Sequence, residues 1–129
     1  MAKKQTAGRD NLGKLAPKFA ELNDDVLFGQ VWSREKELSP RDRSMITIAA
    51  LFSAGLYPQL KSHLILGKEH GITKEEAVEI VTQLAFYCGW PKAWSSFFSH
   101  YDPGMVEWFA KMVEERKHQH DSSKEKKNW

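Results

Sequence analysis

An all-α fold of about six helices is what this 129-residue chain predicts. Apolar residues recur at three- and four-residue steps through most of it, the period of a helix face. Helix start and stop signals punctuate those stretches in a consistent order: Ser39-Pro40, Gly55, Gly71, Thr73 to Glu76, then Gly89. No stretch alternates apolar and polar residues as a half-buried strand does, and no Asn-Gly or Asp-Gly pair signals a hairpin.

The first ten residues are polar and predict a loose start. Leu15, Phe19, Leu22 and Val26 predict a helix within residues 12–27 with those side chains inward. Its start falls at Pro17 and an interruption near Asn23-Asp24-Asp25. Phe28 to Trp32 is a short apolar patch that reads equally as loop or helix. Ser39 can cap free amides, Pro40 suits the first helical position, and Asp42 favours the positive end of the dipole. The helix they open runs through Met45, Ile46, Ile48, Leu51 and Phe52. It is apolar nearly all round, which predicts a central, buried helix ending at Ser53-Ala-Gly55.

A further helix is expected from Pro58, with Leu60, His63, Leu64 and Gly67 along one side and Gly71 as a left-handed cap. Thr73 and Glu76 have the spacing of a capping box. The helix that box opens runs to about Cys88, with Ala77, Ile80, Val81, Leu84 and Ala85 inward, and Gly89 stops it. Pro91 starts the next, rich in Trp94, Phe97 and Phe98. Asp102-Pro103 starts a last one with Val106, Phe109 and Val113 on its apolar face. The expected organisation is one helical domain over residues 1–115, followed by a charged tail, 116–129.

The net charge of +2 is too small, and its basic residues too mixed with acids, for a surface that tracks phosphates, so no nucleic acid is expected. No apolar run approaches the roughly 18–20 residues of a membrane span, and no signal-peptide-type stretch follows the N-terminus. A cytoplasmic protein without a membrane partner is the expectation. Cys88 is the single cysteine, which excludes an internal disulfide, a CxxC redox pair and a cysteine-rich zinc site. Seven Phe, five Trp and three Tyr are many for a small helical domain. Some of them are expected to pack against another subunit.

Few residues have the chemistry for catalysis. His63 is a general acid or base by type, or else a satisfied core or interface histidine. His70 lies two helical turns beyond, about 10.5 Å along the axis, too far to share one metal ion. His118 and His120 sit in the charged tail. No HExxH or carboxylate–histidine set exists, so no metal is expected. Arg41 suits a surface ion pair. Arg43 leads straight into the apolar run, predicting partial burial and a need for an acidic partner, of which a substrate carboxylate is one form. Cys88 reads as a small apolar filler, and Tyr87 as a hydrogen-bond donor to substrate or plain core.

Four segments carry a resemblance: Arg41 to Leu51, Gln59 to His63, Gly71 to Glu76, and Phe86-Tyr-Cys-Gly-Trp-Pro-Lys-Ala93. In this order and spacing, from about Val31 to Ser99, the chain resembles the small decarboxylase branch of the carboxymuconolactone decarboxylase family. The resemblance implies an alkylhydroperoxidase D-like helical fold, assembled as trimers or hexamers with sites at subunit contacts. It implies cofactor-independent loss of CO₂ from a small carboxylated lactone, with His63 moving the proton and Arg43 holding a carboxylate. Tyr87, Trp32, Cys88 and Trp90 would line the substrate pocket. The peroxidase branch of the same fold uses a CxxC pair ahead of the histidine and an acidic residue in the buried helix. Aligned on His63, this chain has Leu56, Gln59 and Ser44 there, so dithiol peroxidase chemistry is excluded. Trp90 and Lys92 depart from the smaller residues of the decarboxylase proper. The competing expectation is a non-catalytic oligomeric binding or scaffold protein that kept the fold.

Overall fold

The computed structural model describes residues 4–98. The helix expected from Asp102-Pro103, the charged tail and its two histidines lie outside the described residues. Those described form six α-helices and one π-helix, with no strand among them. The chain divides into two compact units, one before and one after the Arg43–Ser44 peptide.

The first unit begins with a helix where a loose start was expected: α1, Ala7–Leu12. Its cap is not local. Thr6 stands at the cap position, but its hydroxyl donates to Asp10 at 2.9 Å and makes no cap bond. The free amides of Gly8 and Arg9 donate instead to the two carboxylate oxygens of Asp24, at 2.8 and 3.0 Å. An anion at a helix N-terminus is favoured by both the free donors and the dipole. Burial alone would push the Asp24 carboxyl up. Hydrogen bonds from Asn23 and from the Arg9 and Gly8 amides, with the Arg9 charge, outweigh it and hold it below its ordinary value. Gly8 is required by closeness. A Cβ there would stand 2.7 Å from Asp24 Oδ1 and 2.8 Å from the Ala20 carbonyl oxygen.

Helix α2, Pro17–Glu21, starts at the expected proline. It passes directly into a π-helix, Leu22–Trp32, where an interruption had been expected near Asn23. Phe28 to Trp32 is therefore helical. The inward face expected here is corrected. Leu15 and Phe19 are 84% and 61% exposed, while Gly8, Ala20 and Asp24 are the buried residues. The short helices meet through small side chains and one carboxylate, and the bulky apolar ones are left outside.

Helix α3, Pro40–Ala54, opens as predicted: the Asp42 amide donates to Ser39 Oγ at 3.1 Å. Its buried residues in the second unit form one seam, Ser44, Ile48 and Phe52. Ile46 is 59% exposed, so the helix is not buried all round within this chain. Helix α4, Tyr57–Glu69, buries Leu60, Leu64 and Gly67. It closes on a Schellman motif, with the Ile72 amide donating to the Gly67 carbonyl and the Gly71 amide to that of Lys68. Gly71 has φ +96°, a conformation that a Cβ disfavours.

Helix α5, Lys74–Cys88, carries the predicted capping box, both of whose hydrogen bonds are 3.1 Å. Ala77, Val81 and Ala85 are its buried seam, with Ile80 and Leu84 packed beside them. Gly89 separates it from α6, Trp90–Phe98, which begins one residue ahead of the expected proline. The core of this unit joins Ile48 and Phe52 of α3, Leu60 and Leu64 of α4, Ile72, the α5 seam and Ala93 of α6. Each large side chain buried there contributes about 1.5–3 kcal/mol.

Candidate active site

His63 lies midway along α4, between Leu60 and Leu64 of the buried seam. That register half-buries the imidazole and encloses its Nδ1. Burial penalises the imidazolium form and lowers the pKa from 6.5. At neutral pH the ring therefore favours its neutral form, and a negative charge brought near would raise its proton affinity.

His70 has a different setting. It caps the C-terminus of α4, and its Nδ1 is 2.7 Å from Oγ of the fully buried Ser44 on α3. Ser44 is the residue standing where the peroxidase branch has an acid. Its Cβ also lies beneath Gly67, where an added methyl would meet it at 3.7 Å. The serine thus ties the end of α4 to α3.

Cys88 ends α5 with its Sγ 3.2 Å from Ser53 Oγ. The Ser53 hydroxyl already donates to the Ala49 carbonyl at 2.7 Å, so the thiol supplies the hydrogen between them. Lys92 donates to the Ser53 carbonyl at 2.7 Å. An ammonium on a last-turn carbonyl of α3 is favoured by the helix dipole. The lysine that departs from the decarboxylase pattern thus engages the end of α3. Tyr87 is 79% exposed and Trp90 57%, the latter edge-on to Phe86 at 5.9 Å. Both rings face outward from the chain.

Arg43 and Trp32 belong to the first unit. Arg43 is half-buried as expected, and backbone carbonyls meet its guanidinium. Its Nε donates to Leu38 at 3.2 Å and its Nη2 to Arg34 at 2.9 Å. Trp32 is half-buried and stacks on Phe28, with centroids 5.6 Å apart and planes 24° from parallel. Sequence reasoning gave Asp24 and Ser53 no role beyond a helix interruption and a helix stop. Asp24 had no local signal, since its partners are Gly8 and Arg9. Ser53 read only as part of a helix stop. Among the described residues no three His, Cys, Asp or Glu side chains group as a metal site would. None of the helices among them is long and apolar enough to cross a membrane.

Residues 17–98 match the carboxymuconolactone decarboxylase family, and the chain belongs to it. One relative is the 4-carboxymuconolactone decarboxylase of Acinetobacter baylyi, 33% identical over 82 residues, which are 64% of this chain and 60% of that protein. Another is peroxisomal protein 2 of Schizosaccharomyces pombe, 35% identical over 74 residues, covering 55% of this chain and 35% of that protein. The chain thus spans less than two thirds of the length of either.

Proposed function

We propose that this protein is a cofactor-independent carboxy-lyase acting on a small lactone that carries carboxylates. The observation that carries the reading is the joint one: kinship to a 4-carboxymuconolactone decarboxylase, and a half-buried His63 whose burial lowers its pKa and favours the neutral ring. Loss of CO₂ leaves an electron pair that delocalises into the lactone carbonyl. One proton must then be delivered to carbon. His63 is assigned that delivery. The incoming substrate carboxylates raise the proton affinity of the imidazole, because an opposite charge favours the imidazolium. Arg43 is assigned a carboxylate, for which a guanidinium offers paired donors. Trp32 of the first unit, and Tyr87, Cys88 and Trp90 of the second, are each assigned a contact with the substrate on the strength of the family resemblance. Stabilisation of the developing enolate is the main contribution to rate.

The test is turnover of γ-carboxymuconolactone by the purified protein, followed by CO₂ release. His63→Ala is expected to lower kcat by roughly 10²–10⁴-fold, the range of general acid–base contributions. For wild type, kcat/KM should fall as pH rises through the depressed pKa of free His63. The corresponding fall in kcat should lie at higher pH, where bound substrate has raised it. Unchanged turnover in His63→Ala removes the assignment. No turnover by wild type at any pH favours the oligomeric binding protein instead.

A further inference from the structure

We propose that Asp24 and Asp25, acting with Arg9, form a clasp that holds residues 22–32 in the π register and thereby aims the stacked Phe28–Trp32 pair. The functional consequence rests on the assignment of Trp32 to the substrate pocket. The clasp itself stands on the geometry of the first unit alone.

Helices with i→i+5 bonding occur mostly as single-turn bulges, often at functional sites, so an eleven-residue stretch calls for something that holds it. Two neighbouring carboxylates do. Asp24 caps the amides of Gly8 and Arg9, and Asp25 takes the Arg9 guanidinium in a fork, Nη1 to Oδ1 at 2.8 Å and Nη2 to Oδ2 at 2.7 Å. Consecutive side chains on an α-helix diverge by about 100°. The wider π turn brings neighbours closer in direction, so that Asp24 and Asp25 both reach α1. The i→i+5 register is also visible at Gly29, where a Cβ would stand 3.4 Å from the Asp24 carbonyl oxygen. Ser33 then donates to the Gly29 carbonyl at 2.8 Å and fastens the last turn.

Phe28 and Trp32 lie in that same stretch. Tightening to an α-helix from Asp24 onward would swing the indole around the axis and take Asp25 away from Arg9. A buried carboxylate is a costly way to join two helices, and an apolar contact would cost less. What the carboxylate pair supplies is one direction and one register.

The experiment uses the full chain labelled with fluorotryptophan, the Trp32 resonance being assigned by its loss in Trp32→Phe. Asp24→Asn keeps the shape and removes the charge. Arg9→Lys keeps the charge and removes the fork. In both, the Trp32 resonance should move or broaden, and amide exchange across residues 22–32 should quicken by roughly tenfold. On a carboxylated lactone, KM should rise by roughly threefold or more with kcat little changed. If both variants keep the parent's Trp32 resonance and exchange rates and lose only thermal stability, the clasp is a mere staple for α1 and the proposal fails. Should Asp24→Asn not fold, Asp25→Asn and Arg9→Lys carry the same readouts. The resonance and exchange measurements decide the clasp even where the lactone is not turned over.

Discussion

At the scale of single residues, His63 couples the proposed chemistry to stability. In the unfolded chain its pKa is the ordinary 6.5, and in the fold burial lowers it. The sign follows directly. Above the unfolded pKa the ring is neutral in both states, and the folded protein has its full stability. As pH falls below 6.5 the unfolded chain takes up a proton first, so stability declines until the folded pKa is passed. Denaturation midpoints should be level above about pH 7 and fall below it, and His63→Gln should flatten part of that fall. Parallel curves for the two proteins would mean that burial of this ring does not govern the decline. His63 and Arg43 were both legible as residues of interest, one from its type, the other from its place at the head of an apolar run. Their surroundings were not. Nothing in the spacing said that the carbonyls of Arg34 and Leu38 would meet the guanidinium.

At the scale of elements, legibility followed sequence separation. The Thr73–Glu76 box is local, so it could be read directly, and its bonds are in place. Thr73→Ala should destabilise by about 1 kcal/mol, while Thr73→Ser should cost little. The cap of α1 comes from Asp24, far along the chain, and no window over the first ten residues contains it. That is why a helix stands where a loose segment was expected. The same contact predicts a larger effect at Gly8. A methyl there would stand 2.8 Å from a backbone carbonyl, which cannot turn aside as a flexible side chain can. Gly8→Ala should therefore cost about 1–3 kcal/mol in urea denaturation, the range for overpacked sites. A stability equal to the parent's would show that α1 can ride outward at no cost and that the close approach is incidental.

At the scale of the whole molecule, helix content was readable because periodicity and caps are local, whereas which faces are covered was not, because coverage depends on partners. The seams of α4 and α5 were assigned correctly, but Ile46, Phe86, Tyr87, Trp90 and Trp94 remain exposed on the single chain. A lone soluble chain rarely shows contiguous apolar patches beyond a few hundred Å². Four of these residues, Phe86, Tyr87, Trp90 and Trp94, run along the α5–α6 junction, with Phe86 against Trp90. We therefore propose that copies of this chain cover the junction, as a trimer or hexamer, and that Tyr87 and Trp90 become pocket walls only there. Sedimentation velocity at roughly micromolar concentration should give an assembly of that size. The double variant Tyr87→Glu, Trp90→Glu should sediment as single chains, because two carboxylates in an apolar contact must be desolvated without partners. Its helical circular dichroism should stay close to the parent's, since neither side chain belongs to the buried core. A parent that sediments as one chain would sink the proposal. So would a variant that assembles as the parent does, since the interface would then lie elsewhere and the outward rings would have no part in it.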